Sequence, residues 1–396
     1  MKKLSLSIII IFFSLFKGFA QNNADSSQYK KHKISFEEAN FVSSYYHQEG
    51  INSAVTGGKG TERLTDIANT IDIKMVVYDR QLRKHSLTLD IGVDHYTSAS
   101  SDLVDLKANS SASSGDTRLY PSINWTMESP KKGTTIGGGL AISREFDYMS
   151  YNGNVNFAAK TRKRNGEFSA SFHAFFDQVS LVIPTELRTG SQRGDDYSTV
   201  GRNTFDLSLS YSQIINQRLQ LMLLSDIVSQ SGYLSLPFHR VYTNDGLVHQ
   251  ENLPDNRLKL PIGLRANYFL GDRVIIRAYY RYYTDSWNLN AHTASIEIPV
   301  KMTPFVSLSP FYRYNTQKGA DYFAGYMQHT STDAYYTSNY DLGTFVSHFY
   351  GMGIRLSPEK GILGNSHVQM LEIRYGHYTK NVGMTSNIIS LNLKFK

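Results

Sequence analysis

The chain contains no cysteine, which excludes a lipid-modified N-terminal cysteine, a disulfide framework, thiol chemistry and cysteine-ligated zinc. It also lacks a long apolar run. The longest, Leu4 to Phe16, falls short of the roughly 20 residues that a helix needs to cross a bilayer, so any passage through a membrane has to be made by strands. Tryptophan is scarce, at 2 residues, against 27 Tyr and 21 Phe. A large excess of one charge is absent too, with 41 Lys and Arg against 34 Asp and Glu. The formal charge of +7 includes Lys2, Lys3 and Lys17, and without those three lysines it is +4, spread too evenly for a nucleic-acid footprint. The 12 histidines show no pair at metal spacing with matched facing, so neither a metal nor another cofactor is expected.

What is present begins with an export signal. Lys2 and Lys3, the apolar run, then Gly18, Phe19 and Ala20 before Gln21 have the order of a secretory signal peptide with a small residue at the cut. The expected domain order is a signal peptide over 1–20, a short periplasmic segment over 21–33 and one barrel over 34–396.

From there the pattern has period two. Ile389, Leu391, Leu393 and Phe395 alternate with Ser390, Asn392 and Lys394, and the same alternation marks strands near 36–47, 67–78, 85–97, 117–128, 134–145, 148–160, 166–177, 203–214, 218–230, 257–269, 273–284, 291–301, 304–315, 346–357, 367–378 and 385–396. That is about sixteen strands, an even number, with both termini and the short connections on one side and generally longer connections on the other. The predicted fold class is therefore all-β: a transmembrane antiparallel β-barrel of about 16 strands (14 to 18), with short periplasmic turns and long extracellular loops, in the outer membrane of a Gram-negative bacterium. A soluble sandwich or solenoid also alternates. Its strands are usually shorter and less uniform than these.

Several segments carry a resemblance. The runs Asn52 to Asp66 (NSAVTGGKGTERLTD), Tyr96 to Asp102 (YTSASSD), Ser235 to Tyr242 (SLPFHRVY), and Pro310 to Tyr314 (PFYRY) followed by Ala320 to Phe323 (ADYF) resemble an uncharacterised family of outer-membrane proteins common in Bacteroidota, described only as a domain of unknown function. The family has no catalytic residues to carry over. The resemblance implies an envelope setting, and a small lipoprotein or a flavin-linked or thioredoxin-like redox protein as partner.

If the apolar set faces lipid, the other set faces the lumen. Strands before about residue 230 then turn mostly acids inward: Asp72, Asp90, Asp94, Asp177, Asp206 and Asp226, with Lys74 and Arg218 as exceptions. Later strands turn mostly bases inward: Arg257, Lys259, Arg265, Arg277, Arg281, Arg313, Arg355 and Arg374, with Glu297 and Glu372 as exceptions. An acidic wall facing a basic wall would set a field across a wet pore and suit small polar or anionic solutes. The plainer reading is that these charges only compensate one another.

The connections 98–116, 178–202, 231–256 and 316–345 are long enough to fold inward. In the last, Tyr322, Phe323, Tyr326, Tyr335 and Tyr336 are candidate ligand contacts, or simply packing for the loop. Three functions stay open: a pore, a non-conducting scaffold for an envelope lipoprotein or redox protein, and, remotely, a barrel hydrolase. Against the last, His292 and Ser295 stand three residues apart and so fall on opposite faces of a strand. No enzymatic activity is expected, and the expected partners are outer-membrane lipids, a small polar solute and the envelope protein, with no nucleic acid. The basic short turns, with Arg80, Arg83 and Lys84, Lys131 and Lys132, and Arg162 to Arg164, suit anionic headgroups or a docked partner.

Overall fold

The computed structural model describes residues 33–97, 115–188 and 197–396. The expected signal peptide and the segment after it lie outside the described residues, as do most of the 98–116 connection and the middle of 178–202.

Alternation of apolar and polar residues over 12 or more positions gives long strands, and pairing each to its sequence neighbours closes them on themselves. The barrel strands are β1 (Ser35–Gly50), β2 (Leu64–Tyr78), β3 (Lys84–Thr97), β4 (Gly115–Ser129), β5 (Thr134–Arg144), β6 (Tyr148–Lys160), β7 (Gly166–Ser180), β8 (Thr199–Ile214) and β9 (Leu219–Gly232). After a short hairpin, β10 (Arg240–Tyr242) and β11 (Val248–Gln250), come β12 (Asn256–Leu270), β13 (Val274–Asp285), β14 (Asn290–Glu297), β15 (Val300–Lys301), β16 (Val306–Lys318), β17 (Phe345–Leu356), β18 (Val368–Lys380) and β19 (Met384–Phe395). β14 and β15 are two parts of one strand, both pairing with β13 and β16, so the closed antiparallel barrel has 16 strands. Closure is made by β1 on β19, from Ala39 opposite Phe395 to Gly50 opposite Met384. A closed sheet has no unpaired edge.

The outer face is apolar and uncovered. On β12 alone, Leu258, Leu260, Ile262 and Leu264 are all exposed, and Phe168, Phe172 and Phe176 repeat this on β7. Apolar surface on this scale has no place in water and belongs in lipid. Tyrosines and histidines share the outer face towards one end: the Tyr280 hydroxyl lies 2.7 Å from His292 Nδ1, and that of Tyr312 lies 2.8 Å from His348 Nδ1. Such pairs let a ring sit at the membrane boundary with its polar atoms satisfied.

The connections divide as the alternation predicts, into a turn end and a loop end. The turn end carries both ends of the barrel chain and short turns such as Asp79–Arg83, where Asp79 Oδ1 accepts from the amides of Gln81 and Arg83. The loop end is less uniform than expected, because the connections 145–147, 286–289 and 381–383 are also short. In the second of these Asp285 Oδ1 accepts from the amides of Trp287 and Leu289 and holds a tight turn.

Candidate functional site: the lumen and its mouth

The inner face places the two sets of charges as their parity requires. Counting round the ring, β3 and β13 stand eight strand positions apart in either direction, so Asp90 and Asp94 face the side of the barrel that carries Arg277 and Arg281. β2, with Asp72, stands likewise opposite β12, with Arg257, Lys259 and Arg265.

The acids are held by neutral donors. Asn40 donates to Asp72 at 2.9 Å, Ser122 to Asp90 at 2.7 Å and the Tyr120 hydroxyl to Asp94 at 2.6 Å. Ser208 donates to Asp206 at 3.2 Å, and Asp226 stands opposite Ser208 in the β8–β9 register. Asp177 differs: it is buried and ion-paired with Arg202 at 2.8 Å. Arg218 lies in the turn just before β9, and Lys74 is bound to Glu37 at 2.9 Å.

Lys259 is half-buried on the inner face of β12, opposite Asp285 in the register, and three states exist among the arginines. Arg257 is paired with Asp285 at 2.5 Å and lies 4.1 Å from the centre of the Trp287 ring, so it braces the loop end. Arg277, Arg355 and Arg374 share two carboxylates: Glu297 lies 3.7 Å from Arg277 and 3.0 Å from Arg374, while Glu372 lies 2.6 Å from Arg355 and 3.1 Å from Arg374. Arg265, Arg281 and Arg313 are exposed to the lumen, and among the described residues no carboxylate lies within 4.0 Å of them. Arg265 instead stacks on Tyr279 at 5.6 Å and Arg313 on Phe349 at 4.9 Å. Ion pairs meet Lys74, Asp177, Arg257 and the three arginines that share Glu297 and Glu372, so the plainer reading of mutual compensation covers these and leaves out Arg265, Arg281 and Arg313 among the described residues.

Packing the rings flat against the wall requires glycine behind them. A Cβ at Gly92 would lie 1.9 Å from the Tyr120 ring, and one at Gly376 would lie 2.5 Å from that of Phe349. Neither pairing is visible along the chain, because the residues belong to different strands.

Four loops meet across the mouth at the loop end. Arg240, from the connection between β9 and β12, donates from Nη1 to the Val55 carbonyl at 2.8 Å, although β1 and β2, which carry Val55 between them, stand eight positions round the ring from β9 and β12. The same guanidinium makes two bonds to Glu186, at 2.5 and 3.0 Å, and lies over Phe238. Val55, Val182 and Phe238 form one buried apolar cluster and Leu253, Trp287, Leu289 and Ala320 another. Glu251, buried, accepts from the Leu236 amide at 2.6 Å and from the Thr337 hydroxyl at 2.5 Å. Burial alone would raise Glu186, but its bonds to Arg240 hold it below the usual carboxylate range. Glu62 moves the other way: burial, together with the nearby Asp341, pushes it up to about 7.

The candidate aromatics of the 319–344 connection sit within this cap. Tyr322 packs on Trp287 and Tyr335, Phe323 on Tyr340 and Tyr326 on Tyr242, while the Tyr336 amide donates to the Asn252 carbonyl at 2.7 Å. Tyr335 alone of the five keeps large exposure, at 43%. Arg118, Arg202 and Lys394 also carry ion pairs, with Glu145, Asp177 and Glu38, that join different strands and so leave no mark along the chain. His292 and Ser295 do fall on opposite faces, His292 outward against Tyr280.

A family model described as a protein of unknown function (DUF3570) matches residues 95–387. The chain belongs to this family. No curated protein matches it. Solved structures similar to this DUF3570 barrel include a BenF-like porin from Pseudomonas fluorescens Pf-5, at 8% identity, 90% of this chain, 98% of the porin and a TM-score of 0.43. A bacterial polysaccharide outer membrane secretin is similar at 10% identity, over 90% of this chain and 98% of the secretin, with a TM-score of 0.45. The ferric enterobactin receptor from Pseudomonas aeruginosa is similar at 11% identity over 86% of this chain, with a TM-score of 0.46, and the chain spans 53% of that receptor's length.

Proposed function

We propose that this barrel stands in the outer membrane of a Gram-negative bacterium and passes small polar solutes, anionic ones preferentially, along an arginine-lined wall under a cap of loops. The observation that carries this reading is the state of Arg265, Arg281 and Arg313. They are exposed to the lumen, lack carboxylate partners among the described residues and are held by aromatic rings or by nothing charged. Guanidinium groups that serve only as braces are paired and largely withdrawn from water, as Arg240 in the cap and Arg257 at the loop end are. A charged group lining a water-filled barrel keeps its hydration and acts on passing ions instead.

The test is single-channel current from the refolded chain in a planar bilayer, with the reversal potential measured in a salt gradient. Anion-preferring steps that lose preference in the Arg281→Ala and Arg313→Ala variants are the expected result. A folded barrel that stays silent, and remains silent when the cap is released by Arg240→Ala, would sink the pore reading.

The cap itself supports a second reading, a closed scaffold that gathers an envelope lipoprotein or redox protein at its turn end. There Lys131, Lys132 and Arg162 to Arg164 lie on adjacent turns, joined by a 2.6 Å bond from Arg164 to the Pro130 carbonyl. Co-purification of such a protein, lost on reversing the charge of Arg162 to Arg164, would favour it.

A further inference from the structure

A hollow of about 630 Å³ opens in the basic wall, lined among others by Arg265, Arg277, Arg313 and Arg374. Its construction follows from the register. Arg265 pairs with Tyr279, Tyr279 with Ser295, Ser295 with Arg313 and Arg313 with Phe349, so these five residues form one row across five strands. Three strand spacings, about 14 Å along the row, separate the two arginines. The neighbouring row towards the turn end holds Asn267, Arg277, Glu297 and Phe311.

Charge in the hollow is unevenly met. Glu297 serves Arg277 and Arg374 together, and Arg374 also reaches Glu372. Arg265 and Arg313 have no such partner among the described residues, and each lies over a ring, 5.6 Å from the centre of Tyr279 and 4.9 Å from that of Phe349, with Phe349 seated where Gly376 leaves room. A ring takes up none of the guanidinium N–H donors, which stay available to bind an oxyanion. Between the two arginines lie the hydroxyl-bearing Tyr279 and Ser295, with the amide of Asn267 one row away. Hollow, cations and neutral polar groups therefore converge from separate strands on one space. The hydrogen bonds of the turns at the turn end stay between neighbouring strands, so among the described residues no turn is bonded across that opening, whereas the loop end is bridged.

We infer that this hollow is a binding site for a small hydroxylated organic solute carrying a divalent oxyanion, such as a sugar phosphate. Arg265 and Arg313 supply the charge, and Tyr279, Ser295 and Asn267 the bonds to hydroxyls. The inference rests on the pore reading for how the solute arrives, but binding is measured without conduction. The volume exceeds what a bare phosphate ion needs, so the organic part has room.

The experiment is calorimetric titration of the refolded full barrel in detergent at low salt, with a hexose 6-phosphate, inorganic phosphate, the uncharged hexose and chloride in turn. The expected result is one saturable site for the hexose phosphate, tighter than for inorganic phosphate, with no binding of the hexose or chloride. Arg265→Gln and Arg313→Gln should each weaken it at least tenfold, and Lys259→Gln, on the same wall but outside the hollow, should leave it unchanged. Absence of binding overturns the inference, as does equal loss in Lys259→Gln, which would mean a diffuse field and no site. Inorganic phosphate binding as tightly as the hexose phosphate would overturn the claim on the organic part. Binding by a barrel that conducts nothing would uphold the site while the pore reading fails, and conduction without binding would do the reverse.

Discussion

Arg240 Nη1 donates to the carbonyl oxygen of Val55 at 2.8 Å, joining two loops whose strands stand eight positions apart round the barrel. A bond between opposite sides of a ring can be made only over its opening. The Arg240 side chain is fully buried, while Glu186, its ion-pair partner, is 36% exposed. Removal of the arginine leaves a carboxylate that water can reach, so the loss falls at the lower end of the range for a broken buried pair, about 3 kcal/mol. Arg240→Ala should therefore loosen the cap without unfolding the barrel. Hydrogen exchange should speed up in 51–63 and 233–255 and stay slow in the strands, and the unit conductance should rise. Unchanged exchange in both segments would show that the cap does not depend on this bond.

Glu62 gives the cap a pH dependence of known sign. Its carboxyl is pushed up to about 7 from an ordinary value of 4.5 by burial and by Asp341. A group whose folded value is raised favours the folded form most fully below the unfolded value, and the benefit is lost as the pH rises through the folded value. Between about pH 5 and pH 8 the cap should weaken as Glu62 takes on charge beside Asp341, while the Glu186 and Arg240 pair, already charged in this range, is unaffected. Exchange in 51–63, corrected for the intrinsic rate, checks this. Glu62→Gln should flatten the profile, and a wild-type cap that tightens as the pH rises would contradict the assignment.

Much of the fold was legible because a lipid-facing barrel writes its parity into every strand: Leu258, Leu260, Ile262 and Leu264 cannot exchange faces with Arg257, Lys259 and Arg265 without placing charge in lipid. The same parity assigns the arginines and aspartates to the inner set. What it could not show is which of them are free. Arg257 and Arg281 look alike in the sequence, yet one is bound to Asp285 and the other faces water, a difference set by the β12–β13 register, which brings Asp285 at the end of β13 beside Arg257 and no carboxylate beside Arg281. The cap was also hidden, since the contact of Arg240 with Val55 joins residues 185 positions apart through loops that have no periodicity to read.

Gly376 tests the ring-on-glycine packing of the basic wall. A Cβ there would lie 2.5 Å from two atoms of the Phe349 ring, so Gly376→Val must push the ring off the wall and carry Arg313 with it. Overpacking of this kind costs about 1 to 3 kcal/mol, which a 16-stranded barrel should survive in lowered thermal stability. Phe349→Ala in the same background should restore part of that stability by making room. A variant as stable as the wild type would mean that the ring has another place to go.

The acidic wall makes the opposite prediction to the basic one. Asp90 and Asp94 accept from Ser122 and Tyr120, and an amide oxygen can take over both bonds, so Asp90→Asn with Asp94→Asn should fold with a loss of about 1 kcal/mol or less. The double variant should increase anion preference, whereas Arg281→Ala and Arg313→Ala should decrease it. A barrel of 16 strands at about 4.8 Å spacing, tilted by about 40°, is roughly 30 Å across its backbone. That exceeds the Debye length of about 8 Å at physiological salt. The walls should then act on ions separately, and the shifts in reversal potential should add when the two sets of changes are combined at that salt, and couple only as it is diluted. Strong coupling at physiological salt would mean that loops bring the walls closer than the ring of strands does, and that the charges meet at a constriction.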